Sequence, residues 1–131
     1  MQKKRIVVKV GTSTLTHKTG KTNIQKIGEL VSVLADLHNM GHEVILVSSG
    51  AIGIGTARLG LHKKPQSIKG RQAAAAVGQG ELMFLYDKFF GEYDVIVSQL
   101  LSHMMHLKIR KTRCTLQTHL INLSNTALFR L

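Results

Sequence analysis

The chain is poor in the residues that staple small secreted domains or anchor membrane proteins. One cysteine, Cys114, stands among 131 residues, which excludes an internal disulfide and a cysteine-based zinc cluster and fits a reducing, cytoplasmic setting. There is no tryptophan, a single proline, Pro65, and only 5% aromatic residues, so side chains for stacking on nucleic-acid bases are scarce. No uninterrupted apolar run approaches the ~18 residues that cross a bilayer. The start, "MQKKRIVVKV", has the basic flank of a signal peptide, but Lys9 breaks its apolar stretch after Val8, and it reads as a strand.

Acids are scarce too: seven Asp and Glu against eighteen Lys and Arg, for a net charge of +11. The imbalance is uneven. Residues 1–101 carry all seven acids with thirteen basic residues, whereas residues 102–131 carry five basic residues and no acid. The composition therefore changes near Ser102, and the expected organisation is one unit over 1–101 followed by an aberrant basic tail over 102–131 to which the sequence assigns no structure.

What is present reads as alternating strand and helix. "RIVVKV" is short, β-branched and closed by Gly11, the pattern of a buried strand entering a turn. Ile24, Ile27, Val31, Leu34 and Leu37 recur at helical spacing, with Thr22 or Asn23 as N-cap and Gly41 beyond the end. "HEVILVSSG" is a second strand, and a strand–helix–strand of this length predicts parallel pairing. "AIGIGTARLG" predicts a short helix, "KKPQS" a loop, the alanine-rich "RQAAAAVGQGELMFLYDKFF" helix with a break at Gly78 and Gly80, and "YDVIVSQLL" a third strand. The class is α/β.

Several motifs dissolve on inspection. "LTHKTGKT" misses a P-loop, because Leu15 holds the first glycine position and the motif begins well past the strand end; it reads as a turn into a helix. "GIGTAR" lacks the third glycine of a dinucleotide fingerprint. His38 and His42 have metal-ligand spacing, but Gly41 lies between them and no third ligand is evident, so they read as solvent-facing. The alanine stripe from Gln72 to Glu81 reads as a close helix contact.

Two turns survive. Lys9 sits one residue before the end of the first strand, where its amine reaches the C-terminal edge of the sheet, the edge at which open α/β sheets bind ligands. Gly11, Thr12 and Ser13 follow with amides that can form an anion nest. The second turn, Ser49, Gly50 and Ala51, opens a helix whose free N–H groups attract a carboxylate or phosphate. The bland alternatives are a surface lysine beside a plain turn and a serine that merely caps a helix.

In this order, "VVKVGTSTL", "NIQKIGELVSVLADLHNMGHEVILVSSGAIGIGTARLG" and "RQAAAAVGQGELMFLYDKFF" resemble the amino acid kinase family over nearly all of residues 3–101. "VSSGAIGIG" with "QAAAAVGQ" is similar to the members that phosphorylate the γ-carboxylate of L-glutamate in the first step of proline synthesis. The resemblance implies the N-terminal half of a three-layer αβα sandwich with a mainly parallel sheet. It implies ATP and Mg²⁺, with Lys9 and the Gly11-Thr12-Ser13 turn on the nucleotide phosphates, and Ser49, Gly50 and Ala51 on glutamate. Members of the family are longer, and the rest of their site has no counterpart here, so the expectation is a truncated chain without activity of its own.

The tail has a reading in the genetic code. Met104-Met105 is encoded only as ATGATG, which contains GAT, aspartate, one base earlier in frame. In that frame Cys114-Thr115 forces Tyr or His, and Gln117-Thr118 forces Asn or Asp, the residue types the resemblance calls for. A frame-shifted tail from Ser102 is therefore expected, and it weakens the rival reading of a basic nucleic-acid binder. The other rival is a non-catalytic fragment. A sheet edge left uncovered predicts self-association.

Overall fold

The computed structural model describes residues 2–102 and 126–131 of the chain. Strand β1 (Arg5–Val10) leads into a one-turn helix, α1 (Thr12–Leu15), then α2 (Ile24–Asn39), β2 (Glu43–Ser48), α3 (Ala51–Arg58), α4 (Ile68–Gly91), β3 (Ser98–Ser102) and β4 (Thr126–Arg130). The sheet order is β1-β2-β4-β3. β1 and β2 pair in parallel, Arg5 opposite Glu43 through Val10 opposite Ser48, so both strands end at the same edge. β4 pairs antiparallel with β2 and with β3, which leaves β1, β2 and β3 pointing the same way.

Central β2 is buried from Val44 to Ser48, in keeping with its continuous apolar run. Among the described strands β1 is at the edge: Arg5, Val7 and Lys9 are exposed while Val10 is buried, so the buried strand expected there alternates instead. The core lies on one face, where Val44 and Leu46 meet Leu15 of α1, Ile27, Val31 and Leu34 of α2, Ile54 of α3, and Leu82, Tyr86 and Phe90 of α4. The second helical layer of a three-layer sandwich has no counterpart among the described residues.

Asn23 caps α2, accepting from the Lys26 amide at 3.1 Å, and Gly41 ends that helix with a positive φ of 88°. Ser67 caps α4 in the same way, accepting from the Gly70 amide at 3.1 Å. The "LTHKTGKT" segment folds as a small closed turn, with His17 N–H donating to the Lys21 carbonyl at 2.8 Å and Asn23 N–H to that of Leu15 at 2.8 Å.

Two further expectations need correction. Helix α4 runs unbroken through Gly78 and Gly80, because Gly78 is a crossing point and not a hinge. A Cβ on Gly78 would run into the Ala51 carbonyl, and one on Gly55 into that of Ala74, so α3 and α4 touch backbone to backbone through two glycines. That contact also accounts for Gly55 of "GIGTAR". His38 and His42 are not simply solvent-facing: both are half-buried, His38 with a buried Nδ1 that lacks a hydrogen-bond partner among the described residues, and His42 accepting at Nδ1 from the Lys4 amide at 3.4 Å. Within the tail, to which the sequence assigns no structure, Thr126–Arg130 forms β4. Five residues without turn signals carry too little alternation to mark a strand. The remainder of the proposed tail, residues 103–125, lies outside the described residues.

Candidate functional site

The two turns singled out in the sequence lie side by side. Because Val10 pairs with Ser48 as the last residues of two parallel strands, the segments that follow leave the same edge together. Ser49 then bridges them, donating its amide N–H to the Val10 carbonyl at 3.0 Å and its hydroxyl to the same oxygen at 3.2 Å. The serine hydroxyl is thus committed to the neighbouring turn and does not cap α3. The N-cap of α3 is Gly50, with φ of 130° and no side-chain cap.

Glycine is needed at that point for conformation and for space. Its φ lies where side chains are strained, and a Cβ there would stand 3.3 Å from Thr12 Cα. One turn further, a Cβ on Gly53 would stand 2.8 Å from Thr12 Cγ2. Thr12 therefore rests in a notch cut by Gly50, the N-cap of α3, and by Gly53 within the helix. The sequence offered Gly53 as part of a failed fingerprint and Gly50 as part of the second turn; their use as a seat for Thr12 needs the tertiary contact.

Helix α1 begins at Gly11, again without a side-chain cap. Among the described helices, the two that follow strand ends, α1 and α3, lack caps, whereas α2 and α4 have them. Uncapped first-turn N–H groups beside each other make an electropositive edge suited to anions. Gly11 and Thr12 are half-buried and Ser13 is exposed; Ser49 and Gly50 are half-buried. Ala51 is buried at 5% exposure. Lys9 is exposed on the sheet face opposite Val44 and Leu46, and makes no ion pair among the described residues.

Beneath Ser49 sits a pair that sequence reasoning missed. Ser48, 1% exposed, and Tyr86 of α4, fully buried, place their hydroxyl oxygens 3.0 Å apart. Burial pushes the Tyr86 phenol up to about 12, with the Ser48 hydrogen bond opposing part of that rise. Nothing local in either segment marks the partnership. A shallow cleft of about 170 Å³, bordered by Lys21, Thr22, Ile54, Ala57, Arg58 and Glu81, shares no residue with the two turns. Among the described residues there is no cluster of three or more metal-ligating side chains, and no helix is long and apolar enough to cross a membrane.

Comparison with known proteins gives the same direction. The profile of the amino acid kinase family matches residues 4–123. A protein named glutamate 5-kinase from Clostridium perfringens (strain 13 / Type A) is 59% identical over 98 residues, covering 75% of this chain and 36% of that protein. One of the same name from Moorella thermoacetica is 56% identical over 100 residues, covering 76% of this chain and 26% of its own length. Another, from Clostridium acetobutylicum, is 50% identical over 122 residues, 93% of this chain and 43% of the relative. The chain thus spans less than half the length of these curated relatives. With its profile match running from the first strand through both turns and beyond, the chain belongs to the amino acid kinase family.

Proposed function

We propose that this chain supplies the phosphate turn and the acid turn of an ATP-dependent kinase that converts the γ-carboxylate of L-glutamate into γ-glutamyl phosphate, the first step of proline biosynthesis. The observation that carries the reading is the double hydrogen bond from Ser49 to the Val10 carbonyl, which holds the two anion-attracting turns at one edge. The names of the relatives supply the substrate.

In this reading the amides of Gly11, Thr12 and Ser13 hold the terminal phosphates of ATP, and the Lys9 amine neutralises charge on the transferring phosphoryl group. The amides of Gly50 and Ala51, with Ser49 fixing their position, hold glutamate. A γ-carboxylate oxygen attacks the γ-phosphorus in line, the bond to the β–γ bridging oxygen breaks, and ADP leaves with that electron pair. Positioning and charge stabilisation carry the rate, with no covalent intermediate on the protein. Mg²⁺, bound together with ATP, would supply further charge neutralisation at the phosphates.

A chimera tests this. The matched 98-residue segment of this chain replaces its counterpart in the Clostridium perfringens relative, and glutamate-dependent ADP release is followed. The proposal expects a working kinase whose activity falls by at least ~100-fold with Lys9→Ala, a loss on the scale of removing one transition-state charge partner. A folded chimera without activity, or one indifferent to Lys9→Ala, overturns it.

A further inference from the structure

The acid turn is held from below by a helix that carries none of its residues. Helix α4 meets the segment at both ends. Gly78 presses against the Ala51 carbonyl so closely that a Cβ has no room, and the Tyr86 hydroxyl lies 3.0 Å from that of Ser48, the residue before Ser49. Tyr86 is itself seated against Phe90, with ring centroids 6.3 Å apart.

A hydrogen bond between two buried hydroxyls is directional in a way that the surrounding aliphatic contacts are not. Aliphatic side chains tolerate small sliding, whereas this bond keeps its distance and angle at one depth and one register. Ser48 ends β2 and points into the helical core. A shift of the strand end along its axis breaks the Ser48–Tyr86 contact and, one residue on, misaligns both Ser49 hydrogen bonds to Val10.

We infer that Ser48 and Tyr86 form a positioning pair that sets where the Ser49-Gly50-Ala51 turn stands relative to the Val10 carbonyl, and through it how tightly the site takes an amino-acid carboxylate. The ligand clause rests on the function proposed above; the positioning clause does not. The hydroxyls act through the backbone and touch no substrate.

The test uses the full chain, labelled with ¹⁵N, and amide hydrogen exchange at Ser49, Gly50 and Ala51, with the α2 amides from Ile27 to Leu34 as internal control. Tyr86→Phe and Ser48→Ala are expected to speed exchange at Ser49 on the order of fivefold, the worth of one net hydrogen bond, without a matching change in α2. Ser48→Thr, which keeps the hydroxyl, restores the slow rate. The double variant Ser48→Ala with Tyr86→Phe is no worse than either single change. Titration with L-glutamate is expected to weaken by a similar factor in Tyr86→Phe, while affinity for an ATP analogue stays unchanged.

Equal acceleration in α2 and in the turn shows a general loss of stability and overturns the positioning role, as does Ser49 exchange that ignores the substitutions. If Tyr86→Phe fails to fold, the contrast between Ser48→Ala and Ser48→Thr decides: no contrast overturns the proposal. Wild-type chain that ignores glutamate but shows the selective exchange effect sinks the substrate reading and upholds the pair.

Discussion

The carbonyl of Val10 accepts two hydrogen bonds from one residue, Ser49, through its amide at 3.0 Å and its hydroxyl at 3.2 Å. Val10 ends the first strand and Ser49 follows the second, so this bond pair joins segments 39 residues apart in the chain. It turns two separate strand-end turns into one edge. A ligand held by either turn therefore meets a geometry set partly by the other.

Gly50 is the most constrained residue of that edge. Gly50→Ala places a Cβ at a φ of 130° and 3.3 Å from Thr12 Cα. Backbone strain of this kind costs on the order of 1–3 kcal/mol. Chemical denaturation should show a loss of that size, with the amides of Thr12 and Ser13 shifting together with those of Ala51.

The α3–α4 crossing yields a sharper contrast. Gly78→Ala and Gly55→Ala each drive a methyl into a backbone carbonyl, and should cost at least ~3 kcal/mol, the upper range for overpacking. Gly80→Ala, in the same helix, meets nothing within 4 Å and should stabilise by roughly 0.5–1 kcal/mol through helix propensity. Thermal melts of the three variants check the order.

Tyr86 sets a pH dependence. Its phenol is pushed from 10.0 up to about 12 by burial, so above pH 10 the unfolded chain loses a proton that the folded chain keeps. The stabilisation this represents is complete below pH 10 and disappears as pH rises through about 12. The loss is roughly 2–3 kcal/mol. Denaturation midpoints of Tyr86→Phe should lack this component of the alkaline decline seen in the wild-type chain.

The edge strand carries its own expectation. β1 stands at the edge of the sheet formed by the described residues and exposes Val7 at 51% beside Arg5 and Lys9. Charged residues blunt such an edge without removing its capacity to pair with another strand. Sedimentation velocity should show mass rising with concentration; a sharp monomer at high concentration would argue against the uncovered edge as an adhesive surface.

Much of this was legible in the sequence, and the reasons differ by element. Helix α2 announces itself through Ile27, Val31 and Leu34 with Asn23 and Gly41 at its ends, because caps and periodicity are local. The turns after β1 and β2 were legible for the same reason, since glycine and serine at strand ends signal backbone geometry. Their adjacency followed from parallel pairing. The roles of Gly53, Gly55 and Gly78 were not legible, as a glycine used for close approach looks like one used for a break until its partner is known. Ser48 and Tyr86 are 38 residues apart, and no short-range pattern links two hydroxyls across a core. β4 and its antiparallel place beside β2 were hidden by brevity.

The account stands or falls on whether the joined edge takes two different anions. Backbone amide shifts of the full chain, followed through separate titrations with a non-hydrolysable MgATP analogue and with L-glutamate, address that directly. The account predicts that the nucleotide moves Lys9 and Gly11 to Ser13, that glutamate moves Ser49 to Ala51, and that Lys9→Ala abolishes only the first response. Saturating ligands that leave both turns unmoved, or that shift instead the residues around Lys21 and Arg58, would contradict it.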